Sequence, residues 1–148
     1  MKMVLQIVSD AELSVDEKKI SSIGRGLVAY LCIEKNDKEE TLDFFAKKIN
    51  TLRIFPDENG KTNLSLADIN GEVLLVSQFT LAGNFYKGNR PDFTNAESFE
   101  RAKKMYLKMN DILSETYNIN VKLGVFGADM VVKQTGIGPF TAFLEKQE

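Results

Sequence analysis

The sequence predicts an α+β fold, a single domain over residues 1–148. Three observations predict it. Apolar segments of strand length recur along the chain, two longer stretches carry helical spacing, and glycine or proline separates most of them. A chain of 148 residues that is 43% hydrophobic and 27% charged has the composition of an ordinary globular protein able to bury a core. No internal repeat, low-complexity stretch or linker interrupts it.

The segment Met3 to Val8 is apolar on both faces except for Gln6, as a strand buried on two sides or at a subunit contact would be. Ala11 to Asp16 alternates strictly and reads as a half-exposed strand, followed by a polar turn to Lys19 and a short return strand, Ile20 to Ile23. Gly24-Arg25-Gly26 breaks the chain before the strand Leu27 to Ile33. Asp37 to Leu52 is predicted helical: Asn36 or Asp37 caps it, Glu39 and Glu40 suit its first turn, and Leu42, Phe45, Ile49 and Leu52 share one face. Pro56 to Gly60 is a turn, Asn63 to Gly71 a loop, and Glu72 to Gln78 a strand. Ala82 to Asn95, broken at Gly83, Gly88 and Pro91, has the look of a functional loop. A second long helix is expected over Ala96 to Tyr117. Three strands end the chain, Asn120 to Val125, Met130 to Thr135 and Phe140 to Leu144, separated by Gly127 and by Gly136 to Pro139.

Composition also limits the chemistry. A net charge of −2 excludes a broadly basic nucleic-acid coat, although 19 Lys and Arg leave room for a local patch. No apolar run approaches the roughly 20 residues of a membrane span, and no signal-peptide layout precedes the first strand. A cytoplasmic protein without membrane contact is expected. There is no histidine, and Cys32 lies alone in an apolar run, where it reads as a core residue. With one cysteine and no spaced carboxylate cluster, neither a metal nor another cofactor is expected.

Three segments remain as candidates for chemistry. After the aliphatic run Val73 to Val76, Ser77, Gln78 and Thr80 bring hydroxyls, an amide and released backbone N–H groups to a strand end, where they would face a developing oxyanion. A strand end capped by Ser and Thr explains the same residues. Gly136-Ile137-Gly138-Pro139 permits unusual backbone geometry and lets a ligand touch main chain. An ordinary turn does so equally. Tyr86, Lys87 and Arg90 could contact phosphate and stack on a base, or form a solvated loop.

Taken in order, these segments resemble the D-aminoacyl-tRNA deacylase family. The resemblance spans Leu5-Gln6 with Val8, Ile23 to Leu27, Leu52 to Phe55, Asn63 to Leu66, Val76 to Leu81, Lys87 to Phe93, Phe126 to Met130 and Gly138 to Thr141. It implies mainly antiparallel sheets in a barrel-like arrangement with two long helices. It also implies a homodimeric hydrolase that cuts the ester between a D-amino acid, or glycine, and the terminal adenosine of tRNA. By resemblance Ser77, Gln78, Phe79 and Thr80 form the catalytic segment, with backbone amides near Phe79 and Thr80 as oxyanion donors. The tRNA's own 2′-hydroxyl assists, and a nucleophilic Thr80 is the alternative. Gly138 and Pro139, joined by a cis peptide in the family, enter the partner's pocket and exclude L-amino acids. Phe126, Ala128 and Met130 help to form that pocket, and Lys87 and Arg90 are expected to contact tRNA.

Two positions depart from the family pattern. Gly136 stands where Asn is usual, and Ile7 where Arg is usual. Both lie beside the Gly-Pro element, so chiral strictness is the inherited property they bear on. Relaxed selectivity towards small L-amino acids and tRNA binding without turnover are the alternatives they raise.

Overall fold

The computed structural model describes residues 1–147. Its first strand, β1 (Lys2–Val15), is followed by β2 (Lys18–Ile23) and β3 (Gly26–Cys32), and then by helix α1 (Thr41–Thr51). A small hairpin, β4 (Phe55–Pro56) with β5 (Thr62–Leu64), leads to a one-turn helix, α2 (Leu66–Ile69), and to β6 (Glu72–Ser77). A 3₁₀ turn over Phe79–Ala82 and the long loop precede α3 (Phe99–Asp111), whose last turn widens into a π-turn at Ile112–Thr116. Strands β7 (Asn120–Leu123) and β8 (Val131–Glu145) complete the order.

Six strands form one mixed sheet in the order β2-β1-β3-β6-β7, with β8 along the other edge of β1. The pairs of β1 with β2, β3 and β8 are antiparallel, whereas β3–β6 and β6–β7 are parallel. The Ser21 hydroxyl of β2 donates to the Leu123 carbonyl of β7 at 2.8 Å, so the sheet nearly closes into a barrel. Leu27, Ala29, Leu31, Val73 and Leu75 face the main core with Phe45 of α1 and Met105 of α3. The alternate residues Val28, Leu74 and Val76 face a second cluster with Val8 and Leu13. Burial on both faces explains why β3 and β6 read as apolar runs without alternation. Each fully buried Leu or Phe stabilises the fold by about 1.5–3 kcal/mol.

Several expectations need correction. Helix α1 starts at Thr41 rather than Asp37, because the Asp37 carboxylate is taken elsewhere. It accepts from the Met1 ammonium at 2.6 Å and from the Glu34 N–H at 2.7 Å. Glu39, expected to serve the first turn of α1, instead reaches α3 and pairs with Lys108 at 2.6 Å. Ala96 forms a bridge with Glu34, so α3 begins only at Phe99. Within the expected loop 63–71, Ser65 and Asp68 form a reciprocal capping box that starts α2.

The last two expected strands are one strand, β8. Its pairing with β1 passes from Gln6–Thr141 to Val8–Gly136, so residues 137–140 bulge out opposite Ile7 alone. The Gly138–Pro139 peptide inside the bulge is cis.

Candidate active site

Because β3, β6 and β7 are parallel, their C-terminal ends lie along one side of the sheet. Ligands bind parallel sheets outside the carboxyl ends of the strands. A cavity of about 490 Å³ opens at this side. The strand ends supply Leu31, Ile33, Ser77 and Gln78, with Phe79 next to them. Helix α3 and the residues before it add Ala96, Glu97, Phe99, Ala102 and Tyr106, and the segment after β7 adds Phe126 to Met130.

The last rung of β6 is the bond from the Gln78 N–H to the Leu31 carbonyl, at 2.8 Å. Beyond it the chain turns through Phe79–Ala82, and the first residues of a helical turn have N–H groups without an intrahelical acceptor. Phe79 and Thr80 are those residues. The Thr80 hydroxyl accepts from the Gln78 side-chain amide at 2.5 Å. Cys32 supports the turn from below, its thiol 3.6 Å from the Phe79 carbonyl. Burial pushes that thiol up to about 11, so it stays protonated and unreactive at neutral pH.

Aromatic rings shape the rest of the cavity. Phe126 meets Phe99 edge-on with centroids 5.1 Å apart and lies 5.5 Å from Tyr106. The Tyr106 hydroxyl donates to the Leu75 carbonyl at 2.7 Å, and burial pushes its phenol well above the ordinary range. Gly127 sits at φ +80, and a Cβ there would lie 2.5 Å from the Phe99 ring. Glycine is required both by the left-handed backbone and by the ring.

The lining contains two carboxylates, Glu97 and Asp129, and no cationic side chain. Glu97 accepts from the Ser98 N–H at 2.7 Å and pairs with Arg101. The Ser98 bond, aided by Arg101, holds its carboxyl below the ordinary range. Arg101 compensates Glu97, so the lining's net charge is that of Asp129, which favours a positively charged or neutral group over an anion. Among the described residues no cluster of metal-binding side chains occurs. No helix among the described residues is long and apolar enough to cross a membrane.

Of the residues singled out from sequence, Ser77, Gln78, Phe79, Phe126, Ala128 and Met130 line this one cavity. Thr80 adjoins it through Gln78. Gly138 and Pro139 do not line it; they stand exposed in the β8 bulge. Lys87 and Arg90 lie exposed on a loop pinched by paired Asn84 and Asp92 backbone bonds of 2.7 and 3.1 Å. Tyr86 at its tip is 97% exposed. Glu97 and Tyr106 also line the cavity and are not among the sequence candidates. The spacing Phe99, Ala102, Tyr106 is itself a helical stripe that carries such a signal.

The family model described as D-Tyr-tRNA(Tyr) deacylase matches residues 4–145. A D-aminoacyl-tRNA deacylase of Geotalea daltonii is 50% identical over 145 residues, covering 98% of this chain and 96% of the relative. That of Persephonella marina is 49% identical over 147 residues, covering 99% of each. Among solved structures, one titled "c-Myc DNA Unwinding Element Binding Protein" superposes with a TM-score of 0.94 at 41% identity over both full chains. A probable eukaryotic D-amino acid tRNA deacylase shares the fold, with a TM-score of 0.85 at 17% identity over 97% of each chain. Sequence and fold agree: the chain belongs to the D-Tyr-tRNA(Tyr) deacylase family.

Proposed function

We propose that this chain hydrolyses the ester of D-aminoacyl-tRNA, releasing the D-amino acid and free tRNA in the cytoplasm. The observation that carries the reading is a cation-free, carboxylate-bearing cavity with two N–H groups without intrahelical acceptors beside it. An aminoacyl ester brings an α-ammonium, which the Asp129 carboxylate would favour, and an ester carbonyl, whose developing charge the Phe79 and Thr80 amides would stabilise. The α-ammonium already activates the ester. Positioning and electrostatics then suffice, with the terminal 2′-hydroxyl of the tRNA assisting. A chain without histidine can do this chemistry.

The active unit on this reading is a homodimer. β8 pairs with β1 along one edge, and its exposed side chains include Val131, Ile137 and Phe143. Gly138 and Pro139 of one subunit would enter the other's cavity, where main chain selects against L-amino acids, while Phe126, Ala128 and Met130 shape the amino-acid pocket. Lys87 and Arg90 would hold phosphates outside the cavity, since its lining favours a cation or neutral group over an anion. Glycine, lacking a side chain, would be accepted as well.

Incubation with D-Tyr-tRNA, and in parallel with D-Ala-, L-Ala- and Gly-tRNA, tests the reading. Release of D-amino acid and glycine with L-Ala-tRNA spared is the expected result. Intact D-Tyr-tRNA after incubation with micromolar protein would sink it. Cleavage of L-Ala-tRNA would instead mark relaxed chirality, the reading raised by Gly136, at which a Cβ would meet nothing within 4 Å.

A further inference from the structure

A chain of ion pairs and hydrogen bonds, buried at Glu34 and Asp37, joins two walls of the cavity. The Lys2 ammonium lies 3.0 Å from Glu34 Oε1 and donates to the Leu81 carbonyl at 3.3 Å, inside the Phe79–Ala82 turn. The other oxygen of Glu34 accepts from the Met1 ammonium at 3.1 Å, and that ammonium also meets Asp37. The Asp37 carbonyl accepts from the Arg101 guanidinium, which in turn pairs with Glu97 in the cavity lining. The chain is closed by backbone: the Glu97 N–H donates to the Ile33 carbonyl at 3.1 Å.

Its members are hard to replace. Glu34 and Asp37 are each 6% exposed, and the Lys2 side chain is 19% exposed. At Met1, Glu34 and Asp37 the network is costly to open, because removing one buried charge strands the others without water, whereas its Arg101 link is 41% exposed. The buried part therefore holds its members at fixed spacing. The two ends of this network are the turn bearing the Phe79 and Thr80 amides and the wall bearing Glu97. The turn would face the ester carbonyl of the substrate, and the wall would enclose its amino-acid end.

We infer that Lys2 and Glu34 are positioning residues for the reaction, setting the distance between the oxyanion donors and the opposite wall of the cavity. Neither lines the cavity, so neither touches an aminoacyl ester held within it. They act through the Leu81 carbonyl and the Asp37–Arg101 link. The inference rests on the deacylase reading above. Oxyanion stabilisation depends on donor placement at the transition state, so a loosened network lowers kcat more than it raises KM.

The test measures kcat and KM on D-Tyr-tRNA for the wild type, Lys2→Met and Lys2→Arg, with melting curves for each. Lys2→Met keeps the stem and removes the charge, and should lower kcat by roughly tenfold with KM within about twofold, as sub-ångström misplacement does. Lys2→Arg retains a donor and should recover most of the loss. A Lys2→Met kcat within about twofold of the wild type overturns the inference, as does a change confined to KM. Should Lys2→Met not fold, Glu34→Gln decides by the same split between kcat and KM. A wild type without turnover brings down the deacylase reading itself, and this inference with it.

Discussion

The Phe79–Ala82 turn and the 137–140 bulge both interrupt apolar strands, but one is braced from below and the other is bare. The turn has the Cys32 thiol against its Phe79 carbonyl, Lys2 on its Leu81 carbonyl and the Gln78 amide on its Thr80 hydroxyl. The bulge leaves the β1–β8 ladder opposite Ile7, and Gly136 to Pro139 are all exposed. Ile7 is itself 4% exposed and packs into the main core, so no side chain of β1 reaches out to hold the bulge at that point. On the proposed reading a single chain completes one half of the site, and a second subunit would supply the other.

Gly127→Ala tests the completed half and should have the largest effect. The new Cβ would press on Phe99, which packs against Phe126, and would force a side chain into φ +80. The backbone strain is about 1–2 kcal/mol, small beside the stability of a domain. The occluded cavity should cost on the order of 100-fold in kcat/KM. Deacylation rates paired with a melting curve separate the two. An active Gly127→Ala variant would mean that the substrate does not use this cavity.

Phe143→Glu tests the half left open. Phe143 is 57% exposed and stands opposite Val4, on the outer face of the β1–β8 pair. A carboxylate there is harmless to a monomer and repulsive across a two-fold interface. Sedimentation should show monomer in place of dimer, with kcat/KM lower by roughly tenfold or more because the Gly138–Pro139 element is withdrawn. A monomeric variant of full activity would show that each chain works alone.

The same contrast decides what was legible in the sequence. Local patterns read correctly: the strand ending at Ser77, the helical faces of α1 and α3, and the glycine at 127 all follow from neighbouring residues. Asp37 looked like a helix cap because its sequence neighbours suit one. It was claimed instead by an ammonium thirty-six residues away. Gly136 to Pro139 looked like a break between strands, because β8 owes its continuity to pairing with β1 at the far end of the chain. The Ser65–Asp68 capping box is local, and its S-x-x-D spacing marks a helix start inside a segment whose turn residues otherwise suggest a loop. Lys2 and Glu34 carried no pattern at all, since long-range ion pairs have no sequence period.

The smallest effect is expected at Thr80, whose nucleophilic role is the alternative that the family resemblance raises. Thr80 is the one hydroxyl inside the turn, and a nucleophilic role for it requires a group to take its proton. The chain has no histidine. Of the two cavity carboxylates, Glu97 is occupied by the Ser98 amide and Arg101, and its lowered carboxyl range makes it a weak base. The Thr80 hydroxyl itself accepts from the Gln78 amide, so its visible role is to hold that side chain in place. Thr80→Ala removes one such hydrogen bond, about 1 kcal/mol, and leaves the backbone donors intact. Single-turnover deacylation should therefore slow by no more than about fivefold. A loss of three orders of magnitude with an unchanged melting curve would transfer the chemistry from the main chain to the Thr80 hydroxyl, and the braced turn would then be presenting a nucleophile rather than an oxyanion site.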